Sequence, residues 1–203
     1  ELLAARRKQP GTALLDDMLA VEEEGFRPTE DEIAANATFL FLAGHETTTN
    51  LIGNGLLALL RNPAQLAALY AQPALVENAV EELLRFDSPV QFFRRIALEP
   101  ISIEGAALEP GELVMTCLGA ADRDPDKFGP DAAELRLDRP DAREHVSFGS
   151  GVHHCLGAAL ARLEGQEAIG RLVRRFPNIE RAGTPTHNQR IVLRGYDDLP
   201  VSL

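Results

Sequence analysis

Apolar positions recur with helical spacing through most of the chain and alternate with polar ones only in its middle. Leu2 and Leu3, then Leu14, Leu15, Met18 and Leu19, mark two short helices broken at Pro10 and Gly11. A charged turn from Glu22 to Pro28 reads as a solvated connection. Thr29 then opens the longest helical stretch: with Glu32 it forms a capping box, and Glu30 and Asp31 add negative charge to the first turn. No clear stop precedes Pro63, so a helix is predicted to about Arg61. It would be about 48 Å long, against a diameter of roughly 43 Å for a compact globule of this size. Its segment ATFLFLA, Ala37 to Ala43, is apolar on every side and predicts burial all round. Gly44, His45, Glu46, Thr47, Thr48, Thr49 and Asn50 follow directly, a polar patch in the middle of a buried rod.

Past Pro63 come a short helix, AQLAALYAQ, and a second from Ala74 to Phe86 with Leu75, Ala79, Leu83 and Phe86 on one face. SPVQFFRRIAL is extended and β-rich. The next alternating stretch carries turn signals at Gly105 and Pro110–Gly111, giving short strands joined by a hairpin, with Cys117 at a strand end and assigned to packing. A turn-rich meander leads to a glycine-rich loop. Beyond the loop, Leu160, Leu163, Ala168, Leu172, Val173 and Phe176 trace one buried helical stripe, ended by Pro177. NQRIVLRGYDDLPVSL reads as a closing hairpin whose Ile191, Val192 and Leu193 are core or pocket rim. The fold class predicted is mainly α with small β-sheets (α+β).

Composition narrows the function classes. The 203 residues are 45% hydrophobic and 25% charged, as in ordinary globular domains. A formal net charge of −11 argues against a nucleic-acid partner. No apolar run is long enough to span a membrane and no signal-peptide pattern is present. Two cysteines at unrelated spacing argue against a disulfide scaffold and suit a reducing cytoplasm. The chain does not begin with methionine, which reads as an internal point of a longer chain or a processed end.

The candidate chemistry lies in FGSGVHHCLG, Phe148 to Gly157, where a glycine-rich loop gives way to a helix. Gly149, Gly151 and Gly157 let the backbone turn sharply and approach something flat or bulky. A thiol there faces unpaired helix N–H groups and the positive end of the dipole, which favours the thiolate. Cys155 alone reads first as an inert buried thiol. A zinc site lacks partners at ligand spacing, because Cys117 is isolated from His153, His154 and Cys155. Ser150 lacks the flanking glycines of a nucleophile elbow.

Phe-Gly-x-Gly-x-His-x-Cys-x-Gly, filled here without a mismatch, closely resembles the haem-binding signature of the cytochrome P450 family. The resemblance implies that Cys155 is the proximal thiolate ligand of haem b iron, that Phe148 packs beside the sulfur and that His153 points at a propionate. AGHETT, Ala43 to Thr48, is similar to the family's distal-helix signature. It implies that Ala43 and Gly44 lie against the porphyrin, that a local opening of the helix leaves room for dioxygen, that Glu46 relays protons and that Thr47 hydrogen-bonds the oxygen. Glu82 and Arg85 match the family's Glu-x-x-Arg, a buried structural pair bracing the cysteine segment. Val90, Gln91 and Phe92 would lie close to the substrate, and Arg95, or Arg94 if the register slips, would reach a propionate. The chain departs from its relatives where many place an arginine joining that pair: Glu134 and Leu135 stand there, with Arg136 or Arg139 as substitutes.

The motif order matches throughout, so the resemblance covers residues 1–203 as the haem-binding C-terminal part of the fold, without its N-terminal half. It implies a monooxygenase hydroxylating or epoxidising a small organic substrate. Electrons would come from a ferredoxin- or flavin-type partner near Arg123, Lys127, Arg143 and Arg162. The alternative is a truncated relative without independent catalysis, acting as an assembly partner. Exposed Phe39, Leu40, Phe41 and Leu42 would then need the missing half, a swapped dimer or another chain. The wording after the cysteine looks bacterial.

Overall fold

The computed structural model describes residues 2–22 and 25–203, so Glu1 and the Glu23–Glu24 pair of the predicted charged turn lie outside the described residues. Contacts divide the chain into two compact units, residues 1–46 and 47–203. The helix α3 (Glu30–Arg61) contributes to both.

In the first unit, α1 (Leu2–Lys8) and α2 (Leu14–Ala20) precede the start of α3. The Asp16 carboxylate accepts the Ala13 N–H at 3.0 Å, closing the first turn of α2. The predicted capping box is present at α3: the Thr29 N–H donates to Glu32 Oε2 at 2.8 Å and the Glu32 N–H to Thr29 Oγ1 at 3.3 Å. The helix runs without a break through residues 44–50, so the local opening expected there is not found. Burial all round is also corrected, since Phe39, Phe41 and Leu42 are 67%, 70% and 62% exposed while Leu40 is half-buried. Apolar periodicity reports which faces favour burial, and only tertiary structure supplies a cover.

In the second unit the last part of α3 is buried. Leu51, Ala58 and Leu59 join a core with Leu69 of α4 (Pro63–Ala71), Ala79, Val80, Leu83 and Leu84 of α5 (Val76–Phe86) and two leucines of the meander, Leu135 and Leu137. A single 3₁₀ turn, Pro73–Leu75, leads into α5 where a continuous helix was predicted. The antiparallel pair β1 (Phe92–Ile96) and β4 (Leu113–Cys117) flanks the hairpin of β2 (Ile101–Ile103) and β3 (Ala106–Leu108). The meander follows with α6 (Leu118–Ala121) and α7 (Pro125–Phe128).

After the cysteine loop comes α8 (Ala158–Arg175). The predicted stripe holds in its second half, where Val173 is buried and Ala168, Leu172 and Phe176 are half-buried, but not at its start. Leu160 and Leu163 are exposed, whereas Ala158, Gly165, Ile169, Gly170 and Val173 are buried. A Cβ on Gly165 would sit 3.1 Å from Val80 Cγ1 and one on Gly170 would sit 3.2 Å from Val76 Cγ2. The helix therefore meets α5 through small residues that allow close approach, a signal that large apolar side chains do not carry. Two further antiparallel pairs close the chain, β5 (Glu180–Arg181) with β8 (Val201–Ser202) and β6 (Thr186–His187) with β7 (Tyr196–Asp198). Ile191 and Val192 are exposed, so of the rim-or-core trio only Leu193 is partly buried.

Candidate functional site

The cysteine loop is shaped by its own backbone. The Cys155 N–H donates to the Phe148 carbonyl at 2.9 Å and the His154 N–H to the Gly151 carbonyl at 3.0 Å. Gly149 and Gly151 both sit at φ +69°, which glycine adopts without strain. A Cβ on Gly149 would also lie 2.9 Å from the ring of Phe93, so this position has no room for another residue. Cys155 is exposed, and so are Val152, Leu156 and Gly157. Phe148 is half-buried, with ring contacts to His145 (5.6 Å) and His154 (6.3 Å) and the Arg162 guanidinium 4.6 Å from its centroid. His153 lies at the end of a 3₁₀ turn and is exposed.

Strand β1 aims one of its two faces at this loop. Phe93 meets Gly149, and the Arg95 guanidinium stacks 5.3 Å from the Phe93 ring centroid, so these two residues share a face. Arg94 alternates to the other face. Val90 bridges to Leu193, while Gln91 turns its amide to the Ser88 carbonyl at 2.6 Å and presses on Gly119. Phe92 pairs with Cys117 at the strand start and is half-buried.

A buried ionic brace ties α5 to the meander. Arg85 donates Nε and Nη2 to the two Glu82 oxygens at 2.6 and 2.8 Å, and both side chains are fully buried. Its other N–H groups reach the carbonyls of Asp122, Ala132 and Glu134 at 2.7, 2.8 and 3.1 Å, so every guanidinium donor is used. Arg139, only 2% exposed, is the third member: its Nε donates to Glu82 Oε1 at 3.3 Å. Its remaining donors serve the Phe128, Asp131 and Glu134 carbonyls and the Asp131 carboxylate. Arg136 contributes its backbone N–H to Glu82 at 2.9 Å, while its side chain pairs with Asp131.

Two more carboxylates hold the loop. Glu81 accepts from Arg162 Nε at 2.7 Å and lies 3.0 Å from His145 Nε2. Burial works to raise its pKa, but hydrogen bonds from His145 and Arg162 and the Arg162 charge outweigh it and hold the carboxyl below its usual value. The Ser147 N–H donates to His145 Nδ1 at 3.1 Å, so the imidazole proton sits on Nε2 and faces Glu81. Asp122 accepts the Val146 N–H at 2.6 Å, and its second oxygen lies 2.7 Å from Ser147 Oγ. Burial pushes the Asp122 carboxyl above its ordinary value against the pull of Val146, Ser147, His145 and Arg85.

The distal-helix residues all lie on α3. Ala43 and Gly44 are exposed, Glu46 and Thr47 half-buried and Thr48 buried. A Cβ on Gly44 would meet nothing within 4 Å, so no packing among the described residues requires glycine there.

The cytochrome P450 family profile matches residues 3–74 and 71–193. This chain is a cytochrome P450. It is 45% identical over 207 residues to cytochrome P450 107B1 of Saccharopolyspora erythraea, covering 99% of this chain and 50% of that one. Vitamin D(3) 25-hydroxylase of Pseudonocardia autotrophica is 45% identical over 208 residues, covering 100% and 51%. Among solved structures, the bacillaene polyketide synthase P450 PksS of Bacillus subtilis superposes with a TM-score of 0.94 at 40% identity, over the whole chain and 53% of its own. P450BioI, solved with an acyl carrier protein ligated to hexadec-9Z-enoic acid, gives 0.94 at 40% identity, over the whole chain and 51% of its own. The chain thus spans about half the length of the P450s it matches. No helix among the described residues is long and apolar enough to cross a membrane.

Haem-thiolate iron is typical of the family, and the residues present fit it. Among the described residues no three His, Cys, Asp or Glu side chains converge on a metal position. The exposed Cys155 thiol, on a loop turned by Gly149 and Gly151, leaves room for a group that brings its own donors, as a porphyrin does. Sequence reasoning missed Glu81, His145 and Asp122, whose pattern is indistinguishable from surface charge. It also offered Arg123 and Arg162 to a redox partner, and both are engaged internally: Arg123 donates to the Phe86 carbonyl and Arg162 to Glu81. Lys127 pairs with Glu144, and Arg143, though 74% exposed, lies 3.6 Å from Glu81 Oε1.

Proposed function

We propose that this P450 chain carries the oxygen-activating centre of a haem-thiolate monooxygenase, with Cys155 as the thiolate that would hold the iron. The supporting observation is an exposed thiol on a loop fixed at its root by Asp122 and at its turn by Gly149 against Phe93. When bound, haem b supplies the redox iron that activates dioxygen for insertion into a substrate. Cys155 would hold the iron with a thiolate, and Gly149 and Gly157 would keep the backbone close to the macrocycle. Phe148 would shield the sulfur, its ring held in place by Arg162 and His145. Arg95 and His153 would neutralise the propionates, and the face that Arg95 shares with Phe93 favours it over Arg94. Ala43 and Gly44 offer a helix surface bare of side chains. Glu46 would hold and pass protons, with the Thr47 hydroxyl positioning them at the oxygen. Val90 and Phe92 suit a small organic substrate of apolar character, whereas Gln91 serves its own turn. Electrons would come from a ferredoxin- or flavin-type partner, for which Arg143 is the most exposed of the cations considered.

The deciding experiment is the reduced carbon monoxide spectrum of the haem-reconstituted chain. A red-shifted Soret band that Cys155→Ala abolishes supports the reading, and a Soret band without that shift in the parent refutes it. Exposed Phe39, Phe41 and Leu42 favour the second reading, a chain that works only when another half, a swapped copy or another chain covers α3. A monodisperse monomer by light scattering would count against that reading.

A further inference from the structure

A count of protons at the root of the cysteine loop does not close if Asp122 is ionised. Ser147 Oγ lies 2.8 Å from the Leu84 carbonyl oxygen and 2.7 Å from Asp122 Oδ2. Both distances are those of hydrogen bonds, yet a serine hydroxyl owns one proton and neither an ionised carboxylate nor a carbonyl can donate. With Asp122 ionised, one of the two contacts sets lone pair against lone pair in a buried site. Asp122 itself is 0% exposed and Ser147 is 7% exposed, so water does not relieve the conflict.

We propose that Asp122 is a positioning residue that holds the cysteine loop as a neutral carboxylic acid. Its Oδ2–H donates to Ser147 Oγ, the Ser147 hydroxyl donates to the Leu84 carbonyl, and Asp122 Oδ1 accepts the Val146 N–H. Every polar atom in the cluster is then satisfied. The two residues it fixes are those from which Phe148 and the rest of the loop depart. The charged and titratable groups facing it are Arg85 of α5, which donates to the Asp122 backbone carbonyl, and His145 of the loop. His145 turns its Nδ1 to the Ser147 N–H, which it accepts at 3.1 Å. Arg123, its chain neighbour, turns away to the Phe86 carbonyl. Burial, the largest influence on Asp122, acts in the same direction as the proton count.

Infrared spectroscopy of the whole chain in D₂O at pH 7 reads the proton directly. The expected result is a protonated-carboxyl C=O band that Asp122→Asn removes. Absence of the band in the parent, or its persistence in Asp122→Asn, overturns the proposal. Asparagine reproduces both roles, donating through Nδ2 and accepting through Oδ1, so its melting midpoint should match or exceed that of the parent. Asp122→Ala should lower the midpoint by about 5–10 °C. A folded-state pKa above the unfolded value means stability that is lost as pH rises, so between pH 6 and 8 the parent should lose stability relative to Asp122→Asn. Equal slopes over that interval would overturn the proposal as well. Should Asp122→Asn fail to fold, the assignment passes to Asp87→Asn, which removes another carboxyl raised by burial. The band surviving in that variant supports Asp122, and its loss assigns it elsewhere.

Discussion

Replacing Arg139 with alanine should be among the most damaging single changes in the second unit. The guanidinium is 2% exposed and its partner Glu82 is fully buried, so solvent does not screen the pair. Truncation takes one cation from Glu82 and leaves the Phe128 and Asp131 carbonyls without the donors that reached them at 2.9 and 2.8 Å. Breaking a buried charged pair costs about 3–5 kcal/mol, and each orphaned buried carbonyl costs about 1–3 kcal/mol. Glu82 keeps both bonds from Arg85 and the Arg136 N–H, and Glu134 keeps its bond from Arg85, which limits the loss. The expected destabilisation is therefore about 3–5 kcal/mol, or roughly 6–20 °C in melting midpoint for a chain of this size. That is a large share of the roughly 5–15 kcal/mol by which domains are stable. Urea unfolding followed by circular dichroism measures it, with Arg136→Ala as the control whose half-buried side chain, paired with Asp131 away from Glu82, should matter much less. A loss below about 1 kcal/mol for Arg139→Ala, or equal losses for the two variants, would refute the assignment of Arg139 to the brace.

Glu81 carries a lowered pKa, so the stability it contributes is present above its ordinary value of 4.5 and is lost as pH falls through the folded value. Acid unfolding of Glu81→Gln should show a shallower pH dependence below pH 5 than the parent, and parallel curves would contradict this. Gly149→Ala combines left-handed strain with a Cβ 2.9 Å from the Phe93 ring. It should cost about 1–3 kcal/mol in thermal unfolding, and an unchanged midpoint would show that the loop does not rest on Phe93.

The motifs were legible because each is a local phrase whose chemistry depends on spacing along the chain. The cysteine loop, the AGHETT segment, the capping box at Thr29 and the Glu82–Arg85 spacing all belong to this kind. The third arginine was not legible in the same way, since Arg136 and Arg139 are equivalent on paper. In the structure Arg139 turns its side chain inward to Glu82, whereas Arg136 offers only its backbone N–H. The start of the α8 stripe was misread for a related reason. Leu160 and Leu163 satisfy the helical period, but contact with Val80 and Val76 selects the face carrying Gly165 and Gly170.

By itself the sequence determined the long helix, the mainly helical class, the order of the motifs and the cysteine loop that carries the family signature. Those depend on backbone propensity, capping and residue type within a few turns of chain. Tertiary structure decided which charges are buried, which apolar faces are covered and where protons sit. Arg162 turned from a candidate docking cation into a partner of Glu81, and Asp122 from one acidic residue among many into the anchor of the cysteine loop. Burial, charge pairing and proton sharing depend on what arrives from distant parts of the chain, and spacing along it does not encode that.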